Sequence, residues 1–431
     1  MPKYPQFLEK QIANTQVFVT PLERNATAIQ FSFEVGSFLE NETQAGISHL
    51  IEHLLFNGSK KYPSQKIIAE SIKKYGGRTN AFTGVDETGF WIYMPASAIE
   101  KTLDILFDIT FNPLAISKEK EINNEKKIIL EEIKLHRDNP EWHIFELANQ
   151  TLNPDHKIAV PIIGYEKTVA RITKEEVKEW WKKYYLPANL KIAIAGYIPK
   201  NIEEEIKKFL PAEDKKIKNN FPKYHSKQKL RLKVHPKDTD QVKLIIIFEN
   251  ATKIKPKEMI TFELMTYILG DRMGSILSEE LRVKEGLCYD VWGDIDNYND
   301  FSLFSIGGGF NEKKIERASQ KIVEILNQLK TQGFGEEKVR EAKTNYLGNL
   351  EIKCDDTAGL TYWPIFDTRY FGKILSFEKT IEILNSIGKN DLDNLAKKLF
   401  QKSNMAITTL GSFKNEKSLK LIFDQLKDSP G

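Results

Sequence analysis

Only two cysteines, Cys288 and Cys354, occur in 431 residues, and their spacing fits no metal knuckle. That scarcity excludes a disulfide framework and points to a reducing compartment. No run of 18 apolar residues is present, and the start, Met-Pro-Lys-Tyr-Pro-Gln, lacks the apolar stretch of a secretory signal. We therefore expect a cytoplasmic protein with no membrane partner. Neither sign of charge dominates. Sixty-three basic residues stand against 60 acidic ones, for a net charge of +3, which argues against a nucleic-acid partner. Histidine is scarce as well, with seven in the chain, so any clustering of histidines is informative.

A chain of 431 residues, 41% of them hydrophobic, is too long for one ordinary domain and apolar enough for two cores. An internal repeat supports the division. Lys174–Tyr185 reads as a helix followed by a strand at Lys191–Ala195, and Lys389–Phe400 reads as a helix followed by a strand at Met405–Leu410. Asn189 and Asn404 lie 215 positions apart, as do Gly196 and Gly411. Gly-Gly-Arg-Thr-Asn at 76–80 and Gly-Leu-Cys-Tyr-Asp at 286–290 each open a pair of alternating strands, with a helix after each pair, near 97–110 and 312–330. A repeat of this length means two similar domains. The expected fold is α+β: two homologous α/β sandwiches, each an antiparallel-dominated sheet with helices packed on it. The expected limits are 1–212 and 229–431, with 213–228 as a linker rich in Lys, Asp and Asn.

His49-Leu-Ile-Glu-His53 is the most informative segment. Histidines four apart on a helix share a face and can reach one metal ion, and Glu52 lies close enough to act on a water beside it. Ile47, Leu50, Ile51, Leu54 and Leu55 form an apolar stripe on the opposite side. Asn57-Gly58 is a suitable stop for the helix. A catalytic zinc needs a third protein ligand. The segment from Ser117 to Asn139 reads as a long helix ending before Pro140, with Glu125 and Glu132 seven apart on one face. Ile128, Ile129 and Leu135 fall on that face too, so we expect it to point inward. A carboxylate there is costly unless paired or metal-bound, which makes Glu132 a better ligand candidate than Glu131.

These segments resemble the pitrilysin, insulin-degrading enzyme and mitochondrial processing peptidase family of inverted-motif zinc endopeptidases. The resemblance extends through Gly76-Gly-Arg-Thr-Asn-Ala-Phe-Thr-Gly-Val-Asp-Glu-Thr88, Pro161-Ile-Ile-Gly-Tyr-Glu166, Tyr185-Leu-Pro-Ala-Asn-Leu190 and Leu281-Arg-Val-Lys-Glu-Gly-Leu-Cys-Tyr289. It implies one zinc per chain on His49, His53 and Glu132, with Glu52 as general base and Glu125 supporting the site. It also implies that Asn80, Ala81 and Phe82 hold an extended substrate by backbone pairing, and that Arg282 and Tyr289 contact the substrate and its oxyanion. The second half carries no counterpart of the metal set, since Gly270–Leu281 contains no histidine. The chain resembles the short, two-domain type of subunit, so the resemblance further implies a homodimer whose active sites are completed in trans.

The function expected on these grounds is zinc-dependent endopeptidase, hydrolysing peptides or small unfolded polypeptides with a zinc-activated water. The alternative is a non-catalytic or partner-dependent peptide-binding subunit of a processing-peptidase-like complex. Three lesser signals carry structural expectations. Gly307-Gly-Gly309 lacks the phosphate-loop pattern and reads as a strand-end turn. Trp180, Trp181, Tyr184 and Tyr185 read as core and helix-end packing. His136 reads either as a supporting partner of the metal site or as a structural histidine.

Overall fold

The computed structural model describes residues 4–212, 217–270 and 274–428. The first half runs β1 (Leu8–Ile12), β2 (Thr15–Pro21), β3 (Ala26–Phe33), α1 (Ile47–Leu55), α2 (Gln65–Lys73), β4 (Arg78–Thr83), β5 (Thr88–Pro95) and α3 (Ile99–Phe111). It continues with α4 (Glu119–Asp138), α5 (Pro140–Leu152), α6 (Glu166–Arg171), α7 (Lys174–Tyr184), β6 (Leu190–Gly196) and α8 (Ile202–Phe209). The second half runs β7 (Arg231–Pro236), β8 (Val242–Asn250), α9 (Pro256–Leu269), a π-helical turn at Ser278–Lys284, β9 (Cys288–Asn297), β10 (Ser302–Phe310) and α10 (Ile315–Gln332). It ends with α11 (Glu336–Lys353), α12 (Gly359–Tyr370), α13 (Phe377–Ser386), α14 (Lys389–Leu399), β11 (Met405–Gly411) and α15 (Glu416–Phe423).

One sheet has the order β1-β2-β6-β3-β5-β4 and the other β7-β11-β8-β10-β9. With β1 set aside, the two orders coincide strand for strand, so the repeat seen in the sequence is a repeat of topology. Each sheet has one parallel pair, β2 with β6 and β7 with β11, and is otherwise antiparallel. This is the α+β architecture that the repeat implies.

The two compact units are not two continuous pieces of chain. The first comprises the chain up to Leu135, Val160–Pro222 and Glu351–Phe377; the second comprises His136–Ala159, Lys223–Leu350 and the chain from Glu378. Each half of the sequence thus lends a helix to the other half's sheet. Helix α5 lies on β7, β8 and β11, and α12 lies on β2, β3 and β6. Of the expected linker, residues 213–216 lie outside the described residues.

The loan has a physical reason. Strands β3 and β8 are buried along almost their whole length, and a strand buried on both faces needs cover on both. On β3, Phe31 meets Phe107 of α3 edge to face at 4.7 Å, while its neighbour Gln30 accepts a hydrogen bond from Thr361 of α12. A buried arginine ties each borrowed helix to its host. Arg369 of α12 contacts Glu87, Asp86 and Ser32. Arg231 of β7 binds Glu249 at 3.0 Å and donates to the Leu152 carbonyl of α5 at 2.9 Å.

Two expectations need correction, and a third is met. Gly307–Gly309 is no strand-end turn, because all three glycines lie within β10, paired to β8 and β9. A side chain at Gly307 would stand 2.1 Å from the Trp292 indole, so glycine here makes room for that ring to cross the sheet. The stripe on α4 is also rotated from the expected one. Ile122, Glu125, Ile129 and Ile133 are buried, whereas Ile128 and Leu135 are exposed. Trp180, Tyr184 and Tyr185 do belong to the core. Among the described residues, no helix is long and apolar enough to cross a membrane.

Candidate metal centre and active site

The site lies in the first unit and is built on α1. Ile47, Leu50, Ile51, Leu54 and Leu55 are fully buried, which turns His49, Glu52 and His53 to the other side of a nine-residue helix. So short a helix depends on its ends. Glu40 caps the start, accepting from Gly46 N–H at 2.8 Å and Ser48 N–H at 2.9 Å, a favourable place for a carboxylate. Gly46 has φ +95°, and a Cβ there would meet the Ile163 carbonyl at 2.7 Å. The Pro161–Glu166 segment therefore presses directly on the entry to α1.

Helix α4 supplies the carboxylates. Glu125, buried, binds His53 Nδ1 at 3.1 Å and accepts from the Asn57 amide at 2.5 Å. A carboxylate only accepts, so Nδ1 carries the proton and Nε2 is left to face the site. Glu132 lies two turns further along. Its Oε2 is 4.0 Å from His49 Nε2 and 3.9 Å from His53 Nε2. Among the described residues, His49, His53 and Glu132 form the one group suited to a metal ion, with ligand atoms all within 4.8 Å of one another. These separations are too long for hydrogen bonds. A tetrahedral zinc with bonds of about 2.0–2.1 Å sets its ligand atoms roughly 3.3 Å apart, so small side-chain rotations would close this donor set around the ion. Two imidazoles and one carboxylate, one imidazole braced by a second carboxylate, are what a catalytic zinc takes.

Glu52 stands beside this group without joining it. Its Oε2 is 3.8 Å from His49 Nε2 and accepts from the Thr83 hydroxyl at 3.1 Å. Burial pushes the Glu52 carboxyl above its ordinary range and Glu132 adds to this, against the His53 charge and the Thr83 bond. Burial alone would lower His53, but the Glu125 hydrogen bond and the charges of Glu52, Glu125 and Glu132 outweigh it and leave the imidazole raised. Glu125 moves the other way: burial opposes ionisation, yet the His53 and Asn57 hydrogen bonds hold its carboxyl low. The three groups are thus tuned apart, with one basic carboxylate, one firmly ionised carboxylate and an imidazole between them.

Strand β4, at the edge of its sheet, carries the expected substrate-pairing residues. Asn80 is exposed, while Ala81 and Phe82 are half-buried. Phe82 lays its ring over Gly89 of β5, where any side chain would stand 2.4 Å from it. Arg282 and Tyr289 lie in the second unit. The Arg282 guanidinium sits 5.2 Å from the centre of the Tyr289 ring, and Tyr289 is 76% exposed, so neither is consumed by packing in its own sheet. The ring of His136 lies 4.8 Å from that of Trp142.

Sequence reasoning missed Glu40, Asn57 and Thr83. Their partners lie eight, 68 and 31 residues away, and no periodicity links such positions. For Asn57 a signal existed: it falls one turn after His53, on the side of α1 where a partner for Glu125 was needed.

Residues 20–166 match the insulinase family, peptidase family M16, and residues 171–346 match the inactive domain of that family. A protein of Rickettsia felis named as an uncharacterised zinc protease is 30% identical over 379 residues, covering 87% of this chain and 90% of its own. The similarly named zinc protease YmxG of Bacillus subtilis is 27% identical over 386 residues, or 88% and 92% of the two chains. The crystal structure of a protease from Helicobacter pylori has the same fold, with a TM-score of 0.87 and 21% identity over 95% of this chain and all of that one.

Proposed function

The chain belongs to the insulinase family, peptidase family M16, and on that premise we propose that it is a zinc-dependent endopeptidase of peptides or small unfolded polypeptides. The observation that carries the reading is the convergence of His49, His53 and Glu132 beside a half-buried Glu52. In this proposal one zinc per chain is held by those three residues. When bound, it would polarise a water and a peptide carbonyl. Glu52 takes the proton of the water on its carboxylate and returns it to the leaving amine; burial, which makes it more basic than an ordinary glutamate, suits it to both steps. Glu125 holds His53 in the tautomer that offers Nε2. Asn80, Ala81 and Phe82 offer a strand edge to an extended substrate.

Arg282 and Tyr289, exposed and in mutual contact, supply donors to the substrate and its oxyanion. The pair acts across a homodimer, completing the active site of the partner chain. The match of residues 171–346 to the family's inactive domain fits this division of labour, in which the second unit binds and does not hold metal.

The test compares metal content and peptide cleavage in the wild type and in Glu52→Gln. We expect one zinc per chain in both, with turnover in the variant down by about 10²–10⁴-fold. A Glu52→Gln protein that cleaves normally would remove Glu52 from the role of base, and a wild type that neither retains zinc nor cleaves peptide would favour the alternative of a peptide-binding subunit.

A further inference from the structure

The proposed base has a neighbour whose role the scheme above leaves open. Thr83 is the last residue of β4, and its Oγ1 donates to Glu52 Oε2 at 3.1 Å. We propose that Thr83 is a positioning residue that fixes the plane of the Glu52 carboxylate for proton transfer. This inference rests on the peptidase reading and adds to it the group that orients the base.

Three features of the structure support it. First, the donor stands on a rigid mount. Thr83 pairs with Thr88 across the β4–β5 hairpin, and Thr88 Oγ1 donates to the Val35 carbonyl at 2.8 Å. The turn between them is closed by Gly84 N–H on the Glu87 carbonyl at 2.7 Å and held from outside by Phe38 N–H on the Val85 carbonyl at 2.8 Å. Its acidic pair, Asp86 and Glu87, is buried against Arg369 of the borrowed helix α12. The hairpin that carries the hydroxyl is therefore held both along β5 and at its turn.

Second, the donor is neutral. A lysine or arginine in its place would form an ion pair and neutralise the carboxylate, whereas a hydroxyl orients it and leaves its charge available for the proton. Third, threonine is stiff at χ1, so its hydroxyl direction follows from the backbone of β4. A base that must accept a proton and then release it to a different atom benefits from a fixed plane, because misplacement by a fraction of an ångström is enough to slow transfer.

The experiment compares wild type, Thr83→Val, Thr83→Ser and Glu52→Gln. It measures zinc content, the thermal midpoint of the metal-free protein, and kcat and KM on an unstructured fluorogenic peptide. Valine keeps the shape of threonine and removes only the donor. We expect kcat of Thr83→Val to fall about tenfold with KM, zinc content and thermal midpoint unchanged, and Thr83→Ser to remain within about twofold of wild type. A Thr83→Val protein with wild-type kcat would overturn the proposal. So would a loss that travels with KM, zinc or stability, or a serine variant no better than valine. A wild type without zinc-dependent cleavage would instead overturn the peptidase reading itself, and this inference with it.

Discussion

With β1 set aside, the two sheets share one strand order, and they differ in the helix that follows β3 in one and β8 in the other. After β3 comes α1, nine residues long, whose apolar residues are confined to one side, so that His49, Glu52 and His53 share the other. After β8 comes α9, 14 residues long, with Ile260, Thr261, Phe262, Leu264, Met265, Thr266, Ile268 and Leu269 all buried. Those positions span about two-thirds of the helix circumference, wider than the apolar side of α1, and the arc left to Met259, Glu263 and Tyr267 carries no histidine. The comparison teaches that one scaffold serves two purposes according to how much of this helix the core claims. Where about half the circumference is spared, polar chemistry has a rigid base; where the core claims more of it, the helix mainly fills space.

The comparison breaks most visibly if the two units do not divide the labour. Glu52→Gln and Arg282→Ala chains, each alone, should retain at most about a hundredth of wild-type turnover. Mixed under conditions of subunit exchange, they should recover up to about a quarter, because random pairing makes half the dimers mixed and each mixed dimer has one intact site of two. Cleavage assays on the exchanged mixture decide this; no recovery despite proven exchange would mean that each chain relies on its own pair.

A second, smaller effect tests the borrowed helices. Arg369→Ala leaves Asp86 and Glu87 buried without their guanidinium, and Arg231→Ala does the same to Glu249. Each should cost about 3–5 kcal/mol in denaturant unfolding. A cost below about 1 kcal/mol at either arginine would show that apolar packing alone holds that helix.

The smallest effect concerns pH. Burial works to raise the Glu34 carboxyl, but Lys191, 2.7 Å away, and the Arg369 charge outweigh it and hold the carboxyl below its ordinary value. A pKa lowered by folding contributes stability that is present above the unfolded value and lost as pH falls through the folded one. Glu34→Gln should therefore flatten the acid side of the stability curve, by no more than about 1 kcal/mol because the Glu34 side chain stays one-third exposed. In the second sheet Lys243 pairs with the largely exposed Glu141, and Glu141→Gln should change less. Equal slopes for the two variants would erase this distinction between the sheets.

Much of the site was legible because it is local. His49, Glu52 and His53 sit within five residues on one helix, and the 3.6-residue period assigns their side without further information. Glu125 and Glu132 were legible for the same reason, but the direction of their face was not. Ile128 and Leu135 are apolar and match the period, yet they are exposed, because α4 meets its neighbours along Ile122, Glu125, Ile129 and Ile133. A wheel ranks positions by angle and cannot say which arc a neighbour covers. The Gly307–Gly309 run failed in a similar way: glycine is read as a turn, but here its missing side chain serves the Trp292 ring on the adjacent strand.

By itself the sequence determined the repeat, the helix and strand that close each half, the donor set on α1 and α4 and the absence of that set from the second half. All of these rest on spacing within one element or on residues that recur at a constant interval. Only the tertiary structure decided that α5 and α12 change hosts, that Arg369 braces the turn after Thr83, and that Thr83 reaches Glu52. The reason is physical. A strand buried on both faces requires cover from somewhere, and which helix provides it depends on the relative fit of surfaces far apart in the chain. Hydrogen bonds such as Thr83 to Glu52 follow from that packing, so they become definite only when the sheets are closed.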